Sequence, residues 1–185
     1  MNLLKKLLTI PNILLLIKVI FLINNELFLK AKHTVDLLKQ NGLKIATAES
    51  CTGGMLSAYI TSAAGVSDIF EMGLCSYSCR IKNEILGVSK ETLDKYGAVS
   101  ENTAREMAEH IITISGADIG VSVTGVAGPD SSEGHPMGYV FIALADKIMT
   151  KTKLLNIKPI SRNFVRESAV TEIFNLINDY ISQSI

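Results

Sequence analysis

Two short segments carry the hydroxyl and glycine residues that could do chemistry in this chain. The first is Glu49-Ser50-Cys51-Thr52-Gly53-Gly54, set between a strand-like run and a helix-like one. A serine at such a turn stands clear of the helix body, and free N–H groups at the helix start can stabilise an oxyanion or a phosphate. Gly53 and Gly54 let a ligand approach the backbone closely, which makes them, with Thr52, candidate substrate contacts. The turn also has a plainer reading, because a lone serine here more often caps the following helix than attacks a substrate. No Gly-Lys-Ser/Thr follows, so this is no Walker loop, and a Gly-x-Ser-x-Gly elbow is absent.

A serine nucleophile needs a base. The three histidines are His33, His110 and His135. The first two fall inside helical patterns and His135 in a polar loop, which makes a Ser-His-Asp triad unpromising and a Ser-Lys pair the next arrangement to consider. Lys82, about one turn past Tyr77 at a strand end and near Arg80, is the first choice. Most lysines in such places are solvated, and a base must lose its charge by burial or through nearby cations.

The second segment, Thr124-Gly125-Val126-Ala127-Gly128-Pro129, follows the end of a predicted strand, the edge where open α/β sheets bind ligands. The Thr124 hydroxyl and the amides around Gly125 and Gly128 could hold a phosphate or a carboxamide; an ordinary tight turn is the alternative. Arg162 and Arg166 open the last helix, where cations oppose the helix dipole. That placement suggests an anionic partner, and a surface ion pair would explain it equally well.

The elements that must position these groups alternate. Leu27, Ala31, Val35 and Leu38 repeat at helical spacing before Gly42, and Lys44–Ala48 reads as a strand. Further strands are expected at Phe70–Ser78 and Ile119–Thr124, with a hairpin from Tyr139–Ala145 and Lys147–Leu155. Short and long helices are expected at Ile81–Leu86, from Ser100 to Gly116, and from Ser161 to about Gln183. The pattern predicts a three-layer α/β/α sandwich with a mixed, mostly parallel sheet and one reversed hairpin strand.

With 185 residues the chain suits one domain with a real core. Its 18 basic and 18 acidic residues leave no overall field to attract nucleic acid, and no nucleic-acid partner is expected. Cysteines at 51, 75 and 79 make a poor disulfide framework and suit a reducing, cytoplasmic setting. Cys75 and Cys79 lack the further ligands that zinc needs, so no metal is expected. Residues 1–24 form an apolar leader ahead of a domain at 25–185. Lys18 in its middle argues against a spanning helix, and Asn24-Asn25-Glu26 supplies no small-x-small cleavage site. A dispensable or membrane-touching leader on a cytoplasmic domain is the expectation.

From about Val35 to Tyr180 the chain resembles the CinA C-terminal domain, the nicotinamide-nucleotide amidase family. The matching strings are residues 46–54, Tyr77-Ser78, Leu86-Gly87-Val88, Gly97-Ala98-Val99-Ser100 and residues 124–129, in order along the chain. The resemblance implies an anticodon-binding-domain-like fold. It also implies hydrolysis of nicotinamide mononucleotide to nicotinic acid mononucleotide and ammonia, without a cofactor, and a homodimer. It makes Ser50 the nucleophile, Lys82 the general base and Tyr77 a third catalytic group. It places Ser67 and Thr124 at the site as hydroxyls and Arg162 against the substrate phosphate. Two departures stand out: Cys79 replaces the usual Asn after Tyr-Ser, and Ile160-Ser161-Arg162 replaces a common Gly-Asp-Arg. A non-catalytic nucleotide-binding or interaction module on the same fold is the alternative.

Overall fold

The computed structural model describes residues 11–183, with side chains from residue 26 onward. Strands β1 (Ile45–Glu49), β2 (Phe70–Cys75), β3 (Ile119–Gly125), β4 (Tyr139–Ala145) and β5 (Thr150–Asn156) form one sheet in the order β2-β1-β3-β4-β5. Flanking it are α1 (Pro11–Gln40), α2 (Met55–Thr61), α3 (Cys79–Glu84), α4 (Lys90–Tyr96), α5 (Glu101–Ser115) and α6 (Arg162–Gln183). β1 pairs in parallel with β2 and β3, while β3–β4 and β4–β5 are antiparallel. Only β4 runs against the rest, so the mixed, mostly parallel sheet forms as predicted.

Strand alternation assigns the two faces. Ile45 joins Val121, Val123 and Ile142 beneath a layer made by α1, α2 and α6. Ala46 and Ala48 point the other way, toward Met107 and Ile111 of α5. Both central strands, β1 and β3, are buried along nearly their whole length, as strands covered on both sides must be. On the α5 face small residues dominate, with Ala104 and Ala108 packed on Ala143 and Ala145. Helix and sheet therefore approach closely. At Gly120 a Cβ would overlap the Ala108 carbonyl oxygen, so β3 accepts only glycine there without a shift.

In α1 the predicted stripe of Leu27, Ala31, Val35 and Leu38 is buried and packs on α6, where Thr34 donates to Asn178 at 2.9 Å. The helix runs across the boundary expected at residue 24, and the first ten leader residues lie outside the described residues. Among the described residues no helix is long and apolar enough to cross a membrane.

Several boundaries differ from the sequence expectation for local reasons. β2 stops at Cys75 and not Ser78, because Ser78 turns away to cap α3, accepting the Ile81 N–H at 3.3 Å. β5 starts at Thr150 and not Lys147, because the Asp146 carboxylate accepts the N–H groups of Ile148 and Met149, both at 2.7 Å, and holds the turn. Helix α4 was not anticipated; its seven residues are too few to display a helical period, and it is capped by Ser89 at 3.0 Å from the Thr92 nitrogen. The predicted caps of α5 and α6 form, from Ser100 to Thr103 and from Ser161 to Phe164, each at 3.1 Å.

Candidate active site

Because β1 and β2 are parallel neighbours, the chain leaves both at the same edge of the sheet. Ser50 follows β1 directly, and α3 begins shortly after β2. Lys82 reaches back from α3, its Nζ 2.9 Å from Ser50 Oγ and donating to the Ser76 carbonyl at 2.7 Å. The lysine is fully buried, at 0% exposure. Burial holds its amine below the ordinary value of 10.5, against the opposing pull of the Cys79, Cys51 and Glu133 side chains. The amine is shifted toward the neutral form that a general base requires.

Ser50 does not cap α2. Glu49 does, from complete burial. One carboxylate oxygen accepts the N–H groups of Gly54 and Leu56 at 3.0 and 3.1 Å; the other accepts from the N–H and hydroxyl of Ser57 at 2.9 and 2.6 Å. The amides at the start of α2 therefore serve an internal carboxylate, which also suits the positive end of the helix. Sequence reasoning gave Glu49 no role, although an acidic residue just before a helix start is a recognisable signal.

A cavity of about 510 Å³ opens over this edge, within the range of small-molecule sites. Of the residues expected at the site, Ser50, Lys82, Tyr77, Thr124, Gly125, Gly128 and Arg162 line it. Thr124 donates its hydroxyl to the Ala98 carbonyl at 2.6 Å. Arg162, at the start of α6, donates to the Gly128 carbonyl and to the Tyr77 hydroxyl, the latter at 3.1 Å. Tyr77 is 62% exposed, and its hydroxyl is engaged by Arg162 and hydrogen-bonds to neither Ser50 nor Lys82.

Thr52, Gly53, Gly54 and Ser67 stand outside this lining. Thr52 is buried and its carbonyl accepts from Arg166 at 2.6 Å, which explains Arg166 without an anionic partner. Gly53 and Gly54 make the turn into α2 at φ 56° and 91°, and Ser67 lies exposed in a short 3-10 turn, Val66–Asp68. His135 also stays out of the cavity, stacked on Tyr139 with centroids 4.3 Å apart.

Cys51 lines the cavity beside Ser50, but burial pushes its thiol up to about 12. It is protonated at neutral pH and cannot compete as a nucleophile. Among the described residues no group of three or more His, Cys, Asp or Glu side chains is gathered to hold a metal ion. Asp130 and Glu133 also line the cavity; both lie in the polar loop before β4, where nothing in the sequence distinguishes them from solvated charges.

Fold and cavity together define an α/β/α sandwich that presents a lysine-paired serine at one edge of its sheet. The family model of the CinA C-terminal domain matches residues 29–181, and the chain belongs to that family. It is 44% identical over 155 residues to a protein of Acetivibrio thermocellus named as competence-damage inducible, an alignment covering 83% of this chain and 36% of that one. A Streptococcus pneumoniae protein of the same name is 46% identical over 147 residues, covering 80% and 35%. The chain thus spans about a third of the length of the curated relatives it matches. Among solved structures, a CinA superfamily protein from Klebsiella pneumoniae is similar with a TM-score of 0.82 and 30% identity, over 85% of this chain and 98% of that one. A competence or damage-inducible protein from Enterobacter asburiae gives 0.81 and 33%, over 84% and 98%.

Proposed function

We propose that the protein hydrolyses the carboxamide of nicotinamide mononucleotide to nicotinic acid mononucleotide and ammonia. The observation that carries this reading is the 2.9 Å approach of a fully buried lysine amine to the Ser50 hydroxyl. Neutral Lys82 takes the Ser50 proton as Oγ attacks the carboxamide carbon. Collapse of the tetrahedral intermediate breaks the C–N bond, and Lys82 returns the proton to departing ammonia. Water, deprotonated by the same amine, then attacks the ester, which yields the carboxylate and restores Ser50.

The hydrogen bond to the Ser76 carbonyl fixes the direction of the Lys82 amine. Because Glu49 takes the first amides of α2 and the Val126 N–H is given to the Tyr139 carbonyl, the oxyanion is left to the backbone of Cys51 or of Gly125, Ala127 and Gly128, at roughly 3 kcal/mol per well-placed donor. Arg162 receives the phosphate, and Tyr77, joined to it at 3.1 Å, orients the nucleotide at that end.

Ammonia release from nicotinamide mononucleotide, measured for the wild type, Ser50→Ala and Lys82→Ala, tests the reading. Near-normal release from both variants sinks the mechanism. The competence-damage names of the relatives favour a second reading, a non-catalytic nucleotide-binding or interaction module. Binding of the nucleotide by the wild type without ammonia release would support that reading.

A further inference from the structure

Glu133, on the loop between β3 and β4, lines the same cavity and has no part in the mechanism above. Its carboxylate is anchored by one hydrogen bond. The Val99 N–H donates to Oε2 at 3.0 Å. Gly97, at φ 79°, leaves room for that oxygen, which a Cβ there would approach to 2.5 Å. Glu133 itself adopts φ 52° and Gly134 φ 78° in a two-residue turn closed by hydrogen bonds between Ser132 and His135 at 2.9 and 3.1 Å. Among the described residues Oε1 accepts no hydrogen bond, and no lysine or arginine forms an ion pair with the carboxylate.

The cavity lining thus carries charge of both signs, with the Arg162 guanidinium beside the Gly128 carbonyl and the carboxylates of Asp130 and Glu133 on the same wall loop. Glu133 also opposes the downward shift of the Lys82 amine, which puts it within electrostatic reach of the reacting end. Oxidised nicotinamide mononucleotide also carries both signs, a quaternary ring nitrogen and an anionic phosphate. Its 1,4-dihydro form keeps the carboxamide, ribose and phosphate but has a neutral ring.

We propose that Glu133 is a specificity residue for ring charge, its free carboxylate oxygen facing the cationic pyridinium so that the oxidised nucleotide binds in preference to the neutral-ring form. This rests on the nucleotide-amidase reading for the identity of the ligand. Because Glu133 is exposed, solvent screens its charge and the discrimination is modest, about fivefold.

Calorimetric titration of both nucleotides into Ser50→Ala, with and without Glu133→Gln, tests it without turnover. The expected result is about fivefold tighter binding of the oxidised form to Ser50→Ala. Glu133→Gln should remove that preference by weakening the oxidised form alone, and Glu133→Asp should restore part of it. Equal weakening of both nucleotides would mean that Glu133 only holds its loop, and the proposal would be overturned. Unchanged binding of both, or no binding of the oxidised form to Ser50→Ala, would overturn it too. Ammonia release by the wild type is read separately: a preference for the oxidised form without turnover would defeat the amidase reading and leave the charge discrimination standing.

Discussion

Ser50 Oγ and Lys82 Nζ meet at 2.9 Å although 32 residues separate them in the chain. The pairing depends on two parallel strands ending together and on a turn that lets Lys82 of α3 reach back to the residue after β1. The serine gains a base only because the lysine is buried. A buried amine with no carboxylate hydrogen-bonded to it is expensive to charge.

That expense fixes the pH behaviour of the proposed reaction. kcat/KM for ammonia release should rise with pH along a limb set by Lys82, at a midpoint below the 10.5 of a free lysine. Ser50→Ala and Lys82→Ala should each lower kcat by at least about 10³-fold. A rate–pH profile tests the first point: a limb at the ordinary lysine value would show that the amine is not depressed, and the absence of any basic limb that it is not the base.

Stability carries the same signature. The folded chain releases the Lys82 proton at lower pH than the unfolded chain, which holds it to about 10.5. Between those two values the unfolded state binds more protons, so this residue makes stability increase with pH. Lys82→Met should flatten that slope and stabilise the protein most on the acid side of the window. Urea midpoints of the two proteins across pH supply the comparison, and parallel curves would count against a depressed pKa.

Glu49 should be the costliest acidic side chain to remove. Glu49→Ala leaves the N–H groups of Gly54, Leu56 and Ser57 without their acceptor, and complete burial limits replacement by water. The expected loss is about 3 kcal/mol or more. Glu49→Gln should fall between, because an amide keeps one acceptor and turns a donor toward an N–H. Equilibrium urea unfolding gives both numbers.

The cysteines should separate by reactivity. Iodoacetamide at mildly alkaline pH should label the exposed Cys79, should label Cys75 more slowly because partial burial and Glu49 push its thiol up, and should spare Cys51, which is buried and whose thiol is pushed up to about 12. Peptide mass mapping reads the sites. Since Cys79 lines the cavity, its labelling should also block nucleotide binding, and prior nucleotide should protect it.

Local features can be read from the order of residues alone. The stripe in α1, the caps at Ser100 and Ser161 and the glycine ends of helices follow from spacing and from backbone groups that need partners within a few residues. The serine turn, the Thr124 loop and the order of layers were legible for the same reason, as was the family to which the chain belongs. Short elements were less so: α4 shows too few turns for a period, and β2 and β5 have ends set by side-chain bonds at Ser78 and Asp146. Which groups share the cavity is set by the packing of distant segments. That packing gave the α2 cap to Glu49 and so freed Ser50, put Arg166 on the Thr52 carbonyl, and left Thr52, Gly53, Gly54 and Ser67 outside the lining. It also lifted Glu133 from an unremarked polar loop to the cavity wall. Burial and cross-strand distance create these differences, and neither is a property of any short stretch of sequence.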